Sequence, residues 1–347
     1  MTQMPSAKYS AHMRSFLITG KLTAELSDRP IPEPENNEVR IRVAYVGVCG
    51  SDLHYYYEGA NGAFVVKEPL IPGHELSGTI DKDPSGEFAV GAGVTVHPAT
   101  FGTPTSNIED QPHIWPNGKY LGSASTMPHT QGAMSDYLIV RKDMVRLLPQ
   151  NLSLKNAALA EPLAVALHAI NSAEGVHGKK VLVSGSGPIG LLVAAAAKIK
   201  GAAEVVCTDV LTGPLERALA IGATRTLQIT KDELPDSYFD CVFECSGSPI
   251  AVSSAFNTVR RAGTVIQVGM LGAGPQPIAI APLVSKEIRL RGAFRFNDEI
   301  SEAVVMLSNY LVISTALTHV IPAEDVVEAF AIAKDSQISG KVLVDFQ

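Results

Sequence analysis

Over the first 150 residues the apolar positions come in short β-branched runs, at 39–48, 76–80 and 94–97, broken by Gly, Pro and Asn. That texture predicts a mostly-β region over about 14–149. Inside it, residues 98–132 are rich in Pro, Thr, Ser and Asn and hold the single tryptophan, Trp115. A stretch that long without periodicity reads as a functional loop or a peripheral lobe. From about residue 159 the pattern changes. A short apolar run at 180–184 and strand-like segments at 204–210, 239–245, 264–269 and 288–293 alternate with helical stretches at 188–200, 213–221 and 250–261. Strands alternating with helices predict a parallel, doubly wound sheet. A helical stretch at 300–308 follows, then mixed structure ending at 341–346, which the pattern alone does not place. No solenoid period or low-complexity tract is present.

The length of 347 residues suggests about two domains, since a domain is typically around 150 residues. Hydrophobic residues at 46% and charged residues at 18% describe a globular chain. The net charge of −7 argues against nucleic acid as a partner, because nothing in it neutralises a phosphate backbone. Cys49, Cys207, Cys241 and Cys245 form no C-x-x-C pair and are too few for a disulfide scaffold, so a reducing cytoplasm is expected. Residues 1–13 are polar, without the apolar core of a secretory signal. The apolar stretch 189–197 stops at Lys198, short of the roughly 20 residues that span a bilayer.

Gly185-Ser186-Gly187-Pro188-Ile189-Gly190 follows an apolar run and opens a helical one, and Asp209 lies about 20 residues beyond Gly190. Gly185 suits a tight turn, Gly187 a close approach of backbone to pyrophosphate, and Gly190 close helix–strand packing. Pro188 and Ile189 begin the helix, whose free N–H groups and dipole favour phosphate. Asp209 suits the ribose hydroxyls of NAD and repels the extra phosphate of NADP. A glycine-rich turn with a solvated aspartate remains the plain alternative.

Cys49, His74 and Glu75 stand out in the β-rich half as a thiolate, an imidazole and a carboxylate, a donor set suited to catalytic zinc with one position open. Glu161 is a further carboxylate, set in an apolar helical stretch at 157–170, where an ionisable group needs a partner. By residue type alone, Cys49 serves equally as a small core hydrophobe and His74 as a packing residue.

The phrases around Cys49, Gly73-His74-Glu75, Ala160-Glu161-Pro162 and the Gly185 fingerprint, in this order, resemble the zinc-dependent medium-chain alcohol and polyol dehydrogenases. The resemblance covers the chain from about residue 14. It implies a GroES-like catalytic domain (1–155), an inserted Rossmann NAD-binding domain (156–295) and a return to the catalytic domain (296–347). It implies that Cys49, His74 and either Glu75 or Glu161 hold one catalytic zinc. Residues 98–132 contain no cysteine, so the second, structural zinc of many relatives is not expected. Val268, Gly269, Met270 and Arg295 are implied cofactor contacts alongside the fingerprint. Ser51 and His54 resemble the family's proton relay, with turn capping as their alternative. Tyr55, Glu161, Arg295 and Phe296 are implied at the substrate. The finer resemblance, in 49–56, 160–166 and 294–296, implies a sugar acid, L-idonate oxidised to 5-keto-D-gluconate, ahead of sorbitol or xylitol, and the guanidinium suits its carboxylate. A homo-oligomer, dimer or tetramer, is implied, with 288–293 as a possible edge strand. A zinc-independent reductase and a catalytically silent dinucleotide-binding protein are the competing readings.

Overall fold

The β-branched runs of the first half pair into a seven-stranded sheet in the computed structural model, which describes residues 12–347. Except for His12 and Met13, the polar leader therefore lies outside the described residues. The strands lie in the order Val145–Leu147, Gly93–Val96, Glu75–Lys82, Glu38–Gly47, Lys341–Asp345, Leu317–Pro322, with Tyr137–Arg141 also pairing with Glu38–Gly47. Alternate residues turn inward, and Val39, Ile41, Leu76, Val94 and Val344 share one core. The tail that the pattern did not place is thus a strand of this sheet. Its Leu343 pairs with Gly47, which pairs on its other side with Glu75. That register brings the segments carrying Cys49, His74 and Lys341 to one end of the sheet.

The second half is a six-stranded parallel sheet. Taken in chain order the strands are Lys180–Ser184, Glu204–Asp209, Arg225–Gln228, Phe239–Glu244, Val259–Gln267 and Arg289–Gly292, and they lie 3-2-1-4-5-6. This is the doubly wound arrangement, whose ligand crevice opens between the first and fourth strands at their carboxyl ends. Lys180–Ser184 is buried beyond its first residue, as a central parallel strand covered on both faces must be. The helices Ala160–Ser172 and Pro188–Ile199 pack against one another and are apolar on nearly every side.

Three details depart from the sequence pattern. The helix expected at 250–261 spans Pro249–Thr258, and the next strand begins at Val259, which pairs with Phe239 while Arg260 bonds Asp240 at 2.6 Å. A short strand, Arg225–Gln228, adds an edge that carried no apolar run. The helix Ile300–Asn309 packs its Ile300, Ala303, Val304 and Leu307 into the core of the nucleotide-binding half. The chain therefore rejoins the first sheet at Leu317, later than the expected 296.

Residues 98–132 contain two-residue strands and a single 3-10 turn, Pro112–Ile114. Side chains pin this lobe down. Trp115 Nε1 donates to the Ile108 carbonyl at 2.9 Å, His97 Nε2 to the Asn297 carbonyl at 2.7 Å, and Asn297 Nδ2 to the Asp110 carbonyl at 2.8 Å. The lobe is so tied to the segment that carries Arg295. No helix among the described residues is long and apolar enough to cross a membrane.

Candidate active site

Cys49, His74 and Glu75 converge, each offering one donor atom within 4.8 Å of the other two. Local structure explains how. Cys49 caps the helix Gly50–Glu58, and the buried Asp52 in that helix's first turn accepts hydrogen bonds from Cys49 N at 2.9 Å and from Gly73 N at 3.0 Å. One carboxylate thus locks both ligand-bearing loops together. Gly73, at φ +93, turns the chain into His74, and a Cβ there would meet Val46 at 2.7 Å. Glu75 Oε1 accepts from Lys341 Nζ at 2.6 Å, and Nζ also donates to the Val48 carbonyl at 3.0 Å. A Cβ on Gly47 would meet Glu75 Oε2 at 2.1 Å, so only glycine leaves room for this carboxylate.

The cluster is built for a cation. Glu75 Oε2 and His74 Nδ1 are buried without a hydrogen-bond partner, a costly state unless something else satisfies them. Burial pulls the His74 pKa down. The adjoining Cys49, hydrogen-bonded to it, and the nearby Glu161 and Asp52 more than reverse this and raise it to about 10. The surroundings of that imidazole are therefore strongly negative. Sulfur, nitrogen and oxygen donors in one three-residue set fit zinc with an open position. Cys49 is half-buried, so the site keeps access to solvent.

Glu161, the rival candidate, stands beside this set and lies outside the three converging residues. Its Oε1 accepts from the Tyr120 hydroxyl at 2.5 Å. Burial and the neighbouring Glu161 push the Tyr120 pKa well up, so the phenol remains a donor. The Tyr120 ring meets the His74 ring edge-on at 5.4 Å, and the Arg295 guanidinium lies over its face at 3.9 Å from the centroid. Arg295 itself holds a left-handed backbone, φ +53, an uncommon and strained choice for arginine.

The dinucleotide fingerprint sits at the crevice. Gly185 has φ +91, and a Cβ there would meet Ser246 at 2.9 Å. A Cβ on Gly190 would lie 1.9 Å from the Gly185 carbonyl, which is the close helix–strand packing. Gly187, at the cap of Pro188–Ile199, faces open space. Pro188 takes the first turn of that helix and Ile189 is half-buried behind it. Asp209 ends its strand with Oδ2 accepting from Ser186 N at 2.9 Å and Oδ1 from Leu211 N at 3.0 Å. Opposite, Val268 N and Gly269 N donate to the Glu244 carbonyl, and a Cβ on Gly269 would strike Gly247 N at 2.3 Å. Met270 beside them is 81% exposed, an apolar side chain at the crevice rim.

Other expected residues lie differently. Ser51 is half-buried in the first turn of Gly50–Glu58, and His54 is exposed with Nδ1 3.1 Å from Glu58 Oε1. Cys49 and Asp52 together cap this helix, so capping does not account for Ser51. Tyr55 and Phe296 are both buried. Tyr55 is buried in the first core with its hydroxyl accepting from Ala124 N at 3.1 Å, and Phe296 is buried in the second, tilted against His97 at 4.7 Å. Asp52, Tyr120 and Lys341 are site residues that sequence reasoning missed. Asp52 lay within the Cys49 phrase. Tyr120 and Lys341 fell where no pattern was legible.

A zinc-binding dehydrogenase, built from a catalytic β-domain and a nucleotide-binding sheet, is the class that this fold and donor set define. The sequence matches the alcohol dehydrogenase GroES-like domain over residues 35–150 and the zinc-binding dehydrogenase domain over 188–309. It is 36% identical to L-idonate 5-dehydrogenase (NAD(P)(+)) of Escherichia coli, over 96% of this chain and 98% of that one. It is also 36% identical to sorbitol dehydrogenase of Gallus gallus, over 89% and 90%. The crystal structure of the Escherichia coli L-idonate 5-dehydrogenase superimposes with a TM-score of 0.91 at 34% identity, covering 96% of this chain and 98% of that chain. That of 2R,3R-butanediol dehydrogenase from Bacillus subtilis gives 0.86 at 26%, covering 96% and 99%. The chain belongs to the zinc-dependent alcohol and polyol dehydrogenases and is an NAD(P)-linked oxidoreductase.

Proposed function

We propose that this chain oxidises a secondary hydroxyl of a sugar acid, L-idonate to 5-keto-D-gluconate, with NAD as hydride acceptor and one zinc ion held by Cys49, His74 and Glu75. The observation that carries the sugar acid is the Arg295 guanidinium, stacked on the ring whose hydroxyl reaches Glu161 beside the ligand set. Zinc bound there supplies a Lewis acid for the substrate hydroxyl, and NAD takes the hydride. Arg295 pairs with the substrate carboxylate, for which its planar fork is shaped. Glu161 accepts from a substrate hydroxyl. The hydroxyl proton leaves through the Ser51 hydroxyl, which accepts it while giving its own to the cofactor ribose, and the exposed His54 would take it from there to water. Asp209 favours NAD, since residues 210–213 bring no Lys or Arg to meet a 2′-phosphate.

Zinc quantification followed by NAD and NADP reduction assays on L-idonate, D-gluconate, sorbitol, xylitol and L-threonine tests the reading. One zinc per chain and the highest kcat/KM on L-idonate with NAD are expected. A preference for sorbitol or xylitol would favour the second reading, suggested by the sorbitol dehydrogenase relative. A chain that binds NAD but neither holds zinc nor turns over would be the silent binder.

Two variants test residue roles. Arg295→Met lowers kcat/KM on L-idonate about 30-fold, the worth of one charge-assisted pair at roughly 2 kcal/mol, and changes sorbitol oxidation far less. Equal losses on both substrates would reduce Arg295 to a structural part. His54→Gln flattens the pH profile of turnover between roughly pH 6 and 8, where imidazoles exchange protons. An unchanged profile removes His54 from the proton path.

We further place the protein in the cytoplasm, on its four free cysteines, and as a homo-oligomer. The strand Arg289–Gly292 is a sheet edge exposed along its length, and such an edge invites a second copy. A solution mass equal to one chain would overturn the oligomer.

A further inference from the structure

We propose that Tyr120 is a positioning residue that holds Glu161 away from the metal, keeping a coordination position open beside Cys49, His74 and Glu75. The inference rests on the zinc site of the proposed function and adds to it a residue from the irregular lobe.

Cys49, His74 and Glu75 converge at this corner, and the neighbouring Glu161 does not join them. Glu161 is close enough for its charge to bear on both His74 and Glu75. It projects from the first turn of the buried helix Ala160–Ser172 and is itself 5% exposed. A buried carboxylate needs a partner. Among the described residues, Tyr120 supplies its side-chain hydrogen bond, at 2.5 Å. The phenol is in turn held on two sides, with the edge-on contact to His74 and the Arg295 guanidinium over its face. The ring cannot follow Glu161 if the carboxylate moves. The hydroxyl therefore fixes where Glu161 points, and without it a metal ion is the nearest substitute partner. A fourth protein donor would close the site, since catalytic zinc keeps three ligands and a free position.

Tyr120→Phe keeps the ring and removes the hydroxyl. Zinc loss to EDTA is expected to slow about tenfold while kcat/KM on the sugar acid falls about tenfold, opposite signs at the scale typical of residues that orient ligands. In the Glu161→Gln background the same change leaves both quantities nearly unaltered, because a neutral amide is a weak zinc donor. Glu161→Gln alone, with Tyr120 intact, leaves zinc release unchanged. Zinc leaving Tyr120→Phe at the native rate or faster overturns the inference, as do equal effects in both backgrounds. Loss of zinc from Glu161→Gln alone overturns it too, by making Glu161 a direct ligand, and serves as the deciding measurement should Tyr120→Phe not fold. A native chain that takes up no zinc overturns the proposed function and this inference together; a zinc-loaded native chain with an unaltered Tyr120→Phe overturns this inference alone.

Discussion

Cys49→Ala is expected to emerge from purification without zinc and to lose at least about a thousandfold in kcat on every sugar acid and polyol tested. The size follows from the role. A Lewis acid that stabilises developing alkoxide charge is worth several kcal/mol, and about 4 kcal/mol is a thousandfold in rate. Two donors remain in the variant, His74 and Glu75, and two donors do not make a structural or catalytic zinc site. The chain should still fold, because Cys49 is half-buried and the Asp52 bonds that join its loop to Gly73 use backbone groups. NADH binding, read by fluorescence, should survive, since the crevice around Gly187 and Asp209 belongs to the other half. Cys245→Ala is the matched control, for that thiol lies at the end of Phe239–Glu244, outside the ligand set. Full zinc content in Cys49→Ala, or an undiminished rate, would point to a zinc-independent reductase.

Much of the nucleotide-binding half was legible in the chain because its signals are local. Strands buried on both faces are mostly apolar, and 181–183 and 241–243 read as such. Gly185 and Gly190 are dictated within a few residues of themselves, by a positive φ and by contact with a neighbouring carbonyl. The metal cluster is different. Cys49 and His74 meet because Gly47 pairs with Glu75 across two strands, and no spacing rule reveals a register. Their donor types suggested a zinc set in the sequence, and the resemblance made that reading specific. Lys341 was less legible still, since its strand comes from the far end of the chain and pairs through Leu343 and Gly47. The helix Ile300–Asn309 shows a third kind of gap. Its apolar face announces a helix that must be buried but not which of two cores will bury it. Tyr120 lies in a lobe held by side-chain bonds, where periodicity carries no information.

Lys341→Met is expected to destabilise the zinc-free protein by about 3 kcal/mol, lowering its melting temperature on the order of 5–10 °C, and to cost the zinc-loaded protein distinctly less. Lys341 is 2% exposed and Glu75 1%, so this is a fully desolvated pair. Burial pulls the Lys341 pKa down, but Glu75 and then Cys49 outweigh it and the net shift is upward, so the ammonium stays charged. Methionine fills the same length without the charge. It leaves Glu75 Oε1 and the Val48 carbonyl without their donor, next to an Oε2 that already lacks one. Removing one partner of a buried pair strands the other charge, which is the expensive case. Zinc changes the balance because it is a second counter-charge for the same carboxylate. The stabilisation given by zinc should therefore be larger in Lys341→Met than in the native chain. Thermal melts of both proteins with and without EDTA give the four temperatures needed. Equal decreases in the zinc-free and zinc-loaded forms would mean that Glu75 answers to Lys341 alone and is not a ligand. That result would move the oxygen donor of the site to Glu161.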